Sequence, residues 1–291
     1  MSGNLERALN ILTEAGIDHE DARFDISLIY SYLGDDEAKF IEAIKKRASG
    51  MPAAYITGRQ AFYKEEYKVT PDVLIPRADT ELLVETVLQF LGTLDFPAGD
   101  VGMVPVTDKP LTSPRILDLC TGTGCVGISV LNSLIGKGLK PEVIISDISE
   151  AALKIANENI LSQAADKSSI RAMKIDAMAG ELPAGLGRFD VITANPPYIN
   201  SSDMEALDPE VGSFEPHLAL AGGDDGLIFY PKIAELSHKY LTDGGLLAVE
   251  HGCDQAEQVA QTLMAQGFNN VKSLKDFGNN DRVTFGIKAG R

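Results

Sequence analysis

The sequence predicts an α/β fold: a mostly parallel, seven-stranded sheet covered by helices, with a small helical bundle in front of it. Three observations point there. From Arg115 onward, short apolar runs alternate with longer stretches of helical periodicity, the pattern of consecutive βα units. The first 50 residues show only the helical period. The chain has 291 residues, 44% of them apolar and 23% charged, enough to bury one large domain or two modest ones.

In chain order, Leu5, Ala8, Leu9, Leu12 and Ala15 fall on one helical face that stops at Gly16. A second helix is expected from about Asp21 to Leu33, with Ile26, Ile29 and Leu33 inward and Gly34 after it. A third follows Asp35 or Asp36 as N-cap, carries Phe40, Ile41 and Ile44, and ends at Gly50. Residues 53 to 76 are rich in Tyr, Val, Ile and Phe and read as a hairpin-like connector with a Thr57-Gly58 turn signal. Thr80 to Leu91 returns to helix. Residues 92 to 114, with four prolines including Pro110, read as a variable surface loop. Then come strand RILDL, helix GISVLNSLIG, strand EVIISD, helix SEAALKIANENILSQA, and strands IRAMKID and FDVITAN. Helix GLIFYPKIAELSHKYL and strand LLAVE follow. The end is helix DQAEQVAQTLMAQG with a closing antiparallel pair, NVKSLKD and RVTFGI. The expected units are a bundle over 1–52, a connector over 53–80 and a catalytic domain over 81–291.

Charge narrows the function. Twenty-six Lys and Arg face 42 Asp and Glu, a net charge of −16, so tracking along a nucleic acid backbone is disfavoured. Cys120, Cys125 and Cys253 form neither a disulfide framework nor a zinc spacing, and no metal site is expected. The first twenty residues lack a signal-peptide pattern, and no stretch approaches a membrane span, so a cytoplasmic location is expected.

Ligands of open α/β sheets bind beyond the carboxyl ends of the strands, and the polar signals cluster there. Asp118-Leu119-Cys120-Thr121-Gly122-Thr123-Gly124 closes the first strand and opens a helix. Its glycines let backbone amides approach a ligand. With Gly127 it also spells GxGxxG, so a dinucleotide loop is a rival, as is a tight turn without ligand. Asp147 ends the second strand, where a carboxylate can accept from a ribose diol or simply cap the next helix, a task Ser149 can also perform. Asp176 follows the third strand and suits an adenine amino group, or is a turn residue.

Asn195-Pro196-Pro197-Tyr198 after FDVITA is the most informative segment. Two prolines stiffen the loop and remove two amide donors, leaving unpaired carbonyls. The Asn195 side-chain oxygen and the Pro196 carbonyl can then both accept from one planar NH₂ group, with the Tyr198 ring beside it. Such a wall suits an amide or amine nitrogen that must attack an electrophile, and it offers nothing to hydride transfer.

At this point the sequence resembles the S-adenosylmethionine-dependent amino-methyltransferases, and within them the HemK/PrmC family of N5-glutamine methyltransferases of peptide-chain release factors. The resemblance rests on Ala54 to Gly58, Val73 to Glu81, Asn195 to Ile199, Glu215-Pro216 with Gly222 to Leu227, and Asp276 to Gly278 with Asp281 to Val283. Asp21-Ala22-Arg23 extends it into the bundle. It implies a Rossmann-like methyltransferase fold and S-adenosyl-L-methionine as cofactor. By resemblance, Asp118 and the loop Cys120, Thr121, Gly122, Thr123 and Gly124 hold the methionine part, Asp147 the ribose, and Asp176, Ala177 and Met178 border the adenine. Asn195, Pro196, Pro197 and Tyr198 grip the substrate glutamine, with Asn195 also near the cofactor. Asn195, Pro196 and Tyr198 carry the catalysis. Arg77 and Phe62 face the site from the connector, and the bundle helps dock the release factor. The implied partner is the Gly-Gly-Gln loop of that factor, without direct nucleic acid or membrane contact, and the expected state is a monomer.

The sequence departs from the family pattern in three places: Cys120 replaces a Gly, Ala78 a Pro, and Ala177-Met178 a bulkier pair. Cys120 is tolerable if its position does not require positive φ. His217, His238 and His251 are expected to be surface or structural. The alternatives are a ribosomal-protein glutamine methyltransferase, an adenine-N6 nucleic-acid methyltransferase that shares NPPY, an NAD-dependent oxidoreductase, and an adenosine-binding adaptor.

Overall fold

In a computed structural model of the chain, the described residues are 2–34, 36–97, 99–109 and 111–290. Three helices open it: α1 (Ser2–Glu14), α2 (His19–Leu33) and α3 (Glu37–Ala48). Asp18 caps α2 and Asp36 caps α3, each side chain accepting a backbone N–H of the first turn. Asp35, the other expected cap, lies outside the described residues. Ala8, Leu12, Ile26, Ile29, Phe40 and Ile44 pack into the bundle's own small core. Ile56 of the connector packs against that core, and an ionic tie reaches further: Arg47, 7% exposed, pairs with Asp25 on α2, and its Nη1 lies 2.6 Å from Glu210 of a distant helix.

The connector holds a short helix, α4 (Ala53–Thr57), and a hairpin, β1 (Arg59–Phe62) with β2 (Glu65–Lys68). The Thr57-Gly58 signal does not make the hairpin turn. Gly58, at φ 73°, ends α4, and the turn falls at Tyr63, at φ 57°. After the 3₁₀ turn Ala78–Thr80 comes α5 (Glu81–Phe90). The segment 92–114 is not wholly a surface loop. A 3₁₀ turn, Gly99–Met103, brings Val101 and Val104 into the main core, because α5 leaves apolar surface that only this segment covers. Pro110 lies outside the described residues.

The main sheet is built from β3 (Arg115–Leu119), β4 (Glu142–Asp147), β5 (Ile170–Lys174), β6 (Phe189–Ala194), β7 (Leu241–Glu250), β8 (Phe268–Lys275) and β9 (Asp281–Lys288). Between them run α6 (Cys125–Gly136), α7 (Glu150–Gln163), α8 (Ser201–Met204), α9 (Pro209–Phe214), α10 (Phe229–Tyr240) and α11 (Ala256–Ala265). The sequence reading had no counterpart for α8 and α9. The strand order is β5-β4-β3-β6-β7-β9-β8. The first five strands are parallel, and β9 runs antiparallel to both β7 and β8. Strand residues alternate between two cores, as the twofold strand period requires. Ile116, Val143, Ile145, Val191 and Leu246 face α5 and α6, while Leu117, Ile144, Ile192 and Leu247 face α10 and α11. Both faces are covered, and the order reverses between β3 and β6, so the carboxyl ends of those strands open a crevice.

Candidate active site

A cavity of about 300 Å³ lies over that crevice. Its cofactor-side wall is the turn after β3. Asp118, the penultimate residue of β3, is 2% exposed and accepts from the hydroxyls of Thr121 and Thr193. Burial raises its carboxyl to about 6 against the pull of those donors. The chain then turns through Cys120 at φ 56°, Gly122 at φ 53° and Gly124 at φ 84°. Cys120 therefore occupies the left-handed region, and the condition under which it would replace glycine freely is not met. Burial pushes its thiol, and that of Cys125, well up, so neither is an activated nucleophile. Gly127 is required for packing: a Cβ there would stand 2.3 Å from the Ile145 side chain, so it seats α6 on β4.

Asp147, at the end of β4, accepts from Gly122 N (2.9 Å) on one oxygen and Ser149 N (2.9 Å) on the other. Burial raises its pKa. Ser149 itself caps α7, leaving Asp147 free of that task. Asp176 accepts from Met178 N (2.8 Å), which folds the loop so that Asp176, Ala177 and Met178 all line the cavity. Asp72, Asp118, Asp147 and Asp176 give the lining four acids against one base, Arg77. That base is engaged, since Arg77 pairs with Glu215, which is 4% exposed and has its pKa raised by burial. The lining therefore favours a cation and opposes the pyrophosphate of a dinucleotide.

The opposite wall is the segment after β6. Asn195 and Pro197 line the cavity, while Pro196 and Tyr198, also expected there, are not among its lining residues. Asn195 Nδ2 donates to Thr80 Oγ1 (3.3 Å). Among the described residues, no donor reaches Asn195 Oδ1 or the Pro196 carbonyl. Gln255 and Glu250, to which the sequence assigned no role, and two glycines of the Gly222–Leu227 segment shape this wall. Gln255 Nε2 donates to the Tyr198 carbonyl (2.9 Å). Gly222 and Gly226 lie so close that a Cβ would come within 2.7 Å of Tyr198 Cα and 2.3 Å of its carbonyl oxygen, respectively. The Tyr198 hydroxyl lies 3.5 Å from Glu250, which ends β7 and is 1% exposed. A charged residue closing the apolar run LLAV was the one visible signal for Glu250.

One expected residue sits elsewhere. Phe62 is 2% exposed, packs edge-on against Tyr67 in the main core, and does not face the cavity; an apolar ring at the inner end of β1 is held by the core it fills. His251 is buried between Gly252 O and Thr284, away from the lining, and burial lowers its pKa. Among the described residues no cluster of metal-binding side chains occurs, and no helix is long and apolar enough to cross a membrane.

The methyltransferase small domain family matches residues 95–208. The release factor glutamine methyltransferase of Clostridium acetobutylicum is 34% identical over 253 residues, which cover 87% of this chain and 80% of that one. The release factor glutamine methyltransferase of Thermodesulfovibrio yellowstonii is 38% identical over 244 residues, covering 82% and 77%. A 16S rRNA N2 G1207 methyltransferase of T. thermophilus, solved in complex with AdoMet and guanosine, superposes with a TM-score of 0.50 at 16% identity, over 79% of this chain and 49% of that one. At that identity the likeness is one of fold.

Proposed function

The chain belongs to the release factor glutamine methyltransferase family, and on that premise we propose that it transfers a methyl group from S-adenosylmethionine to the side-chain amide nitrogen of a release-factor glutamine. The observation that carries this reading is the free acceptor Asn195 Oδ1 on the cavity wall that faces the acids, with the free Pro196 carbonyl next to it in the chain. When bound, the cofactor supplies an electrophilic methyl on a sulfonium.

The residues present fit such a group. Four carboxylates suit a ligand with a sulfonium and an ammonium. In the Cys120–Gly124 turn the amides of Thr121, Gly122 and Gly124 are committed to Ser146 O, Asp147 and Thr121 O, so the amide of Thr123, next to the start of α6, is the one there suited to its carboxylate. Asp147 has each oxygen held by one backbone donor and keeps lone pairs for ribose hydroxyls. Asp176, Ala177 and Met178 would border the base, with the Met178 thioether in place of an aromatic ring.

A glutamine amide nitrogen is a poor nucleophile, because its lone pair is delocalised into its carbonyl. Asn195 and Pro196 would accept its two hydrogens, raise electron density on nitrogen as positive charge develops, and fix its orientation. No base is needed before transfer, since the proton leaves afterwards to solvent. Tyr198 forms the back of this grip, with its own phenol pushed up by burial and so kept as a neutral hydroxyl. In the same reading, 1–52 docks the release factor, 53–80 connects, and 81–291 carries the chemistry.

The test is methyl transfer from labelled cofactor to a purified bacterial release factor, with the Gln of its Gly-Gly-Gln loop changed to Ala as control. Label on the unmodified factor alone is expected. Cofactor binding without label on either would overturn the substrate and redirect the search to ribosomal proteins.

A further inference from the structure

The mechanism above gives the bundle only a docking role, yet the bundle touches a segment that shapes the cavity. Between the NPPY loop and α10 the chain makes an excursion over 200–221, which carries α8, α9 and the 3₁₀ turn His217–Ala219. Its ends are closed on each other: Ile199 bridges Ala221, Ile199 N donates to the Leu220 carbonyl (3.0 Å), and Gly222 N donates to the Ile199 carbonyl (2.8 Å). The returning part supplies Pro216, Leu218 and Ala219 to the cavity lining. The part before it meets the bundle. Glu210 pairs with Arg47 of α3, and the Phe214 ring lies against Gly50, where a Cβ would stand 3.5 Å from it.

The excursion has little core of its own. Every residue of α8, α9 and the 3₁₀ turn is half-buried or exposed, and Leu218 is 61% exposed. A segment that buries so little apolar surface takes its place from specific contacts. Two ion pairs supply them. Glu215 pairs with Arg77 of the connector and accepts from Ile75 N (3.4 Å). Glu210 Oε1 lies 2.6 Å from Arg47 Nη1, a contact of charge without hydrogen-bond alignment. Arg47 is not free to swing: its Nε is held 2.5 Å from Asp25 Oδ2, and both residues are buried. One planar guanidinium carries both contacts, so the place of Glu210 follows that of α2 and α3.

We propose that Arg47 is a positioning residue for methyl transfer: through Glu210 it holds the 200–221 excursion so that Pro216, Leu218 and Ala219 close one side of the cavity, and the bundle thereby shapes the site to which it brings the substrate. The proposal rests on the glutamine reading of the site. An amide nitrogen must meet the methyl group in line, and a wall that drifts leaves the glutamine side chain room to tilt away. The excursion begins directly after Ile199, so a shift in it also pulls on the end of the NPPY segment. With the pair in place, a release factor seated on the bundle finds the cavity already formed. Without it, the bundle still docks the factor, but over a loosened wall.

The deciding variant is Glu210→Gln in the full chain, which keeps the side chain's shape, leaves the Arg47–Asp25 pair intact and removes only the contact of charge. At saturating S-adenosylmethionine its kcat on a release factor should fall about tenfold, with KM for the factor within about threefold of the parent. A docking role alone would raise KM and spare kcat. Arg47→Met should lower kcat at least as much, and the double variant should be no slower than Arg47→Met, since both changes break one contact. A second readout is independent of activity: chymotrypsin cleavage after Phe214 and Leu218, located by mass spectrometry, should be at least about fivefold faster in Glu210→Gln than in the parent. Parental kcat in a folded Glu210→Gln chain, a raised KM with kcat intact, losses that multiply in the double variant, or unchanged cleavage would each overturn the proposal. If Arg47→Met fails to fold because it strands the buried Asp25, Glu210→Gln decides it. If the parent methylates no release factor, the substrate reading falls, while the cleavage rates still judge whether the pair holds the excursion.

Discussion

The two walls of the cavity are built differently. The cofactor-side wall is mostly local: Asp118 to Gly124 is one continuous turn, Asp147 and Asp176 are each held by the amide two residues on, and the longer ties are Gly122 N to Asp147 and the Thr193 hydroxyl to Asp118. The acceptor wall is not local. Asn195 leans on Thr80, Tyr198 on Glu250 and Gln255, and the whole segment on Gly222 and Gly226. A ligand held mainly by charge and backbone donors tolerates a loop of small adjustments. An amide nitrogen aimed at an electrophile does not, and its wall is correspondingly braced from several elements.

The largest effect should come from breaking that brace without touching a reacting group. In Gly226→Ala the new Cβ would stand 2.3 Å from the Tyr198 carbonyl oxygen and 2.4 Å from Gln255 Nε2, at φ 74°. Transfer should fall about 100-fold while cofactor affinity stays within about threefold, because only one wall shifts. Steady-state kinetics beside calorimetric cofactor titration checks this, and equal losses in both would erase the distinction between the walls. The reciprocal change is Asp147→Asn, which keeps shape and removes charge. It should weaken S-adenosylmethionine binding about tenfold and leave kcat at saturating cofactor nearly unchanged.

The segments that were legible in the sequence are those whose chemistry is continuous along the chain. The helix cap at Asp36, the βα alternation, the glycine turn and the NPPY loop all announce themselves within a few residues. The family resemblance drawn from those motifs agrees with the relatives found. The braces were harder to see. Thr80 and Asn195 are far apart in sequence, and nothing near Glu250 or Gln255 indicates that both converge on Tyr198. The short helices α8 and α9 follow no long apolar period; each starts from a capping side chain, Asn200 and Asp208, and α9 adds Pro209 in its first turn. Phe62 was misplaced because an aromatic residue on a strand beside a site looks the same whether it faces the site or the core. The condition attached to Cys120 is not met, because its backbone conformation is set by the turn and not by its own preference.

Two smaller effects sharpen the comparison. Burial raises Glu250 to about 7 and Asp118 to about 6, one carboxyl in each wall. The folded chain then holds protons that the unfolded chain has released. Their contribution is full below the unfolded carboxyl pKa and is lost as pH rises through about 6 and 7. His251, lowered by burial, acts oppositely by losing stability as pH falls through its folded range, so the parent curve mixes both signs. Glu250→Gln should isolate its share: urea unfolding at pH 5 and pH 8 should show a smaller decline with rising pH than in the parent. The smallest effect is expected from Cys120→Gly. It relieves a left-handed residue at φ 56° but adds chain entropy to the unfolded state, for a net gain of about 0.5 kcal/mol. A loss of stability would show that the Cys120 side chain contributes packing that outweighs its backbone strain.

The central claim is that Asn195 and the Pro196 carbonyl hold the amide nitrogen that receives the methyl group. Its most direct test is single-turnover transfer from labelled S-adenosylmethionine to a release factor by the parent chain and by Asn195→Ala, with the product located by mass spectrometry and the fold of each checked by its melting transition. The account predicts label on the side-chain nitrogen of one glutamine with the parent, and a rate at least about 100-fold lower with a folded variant. A folded Asn195→Ala chain that methylates the same glutamine at the parental rate would contradict it.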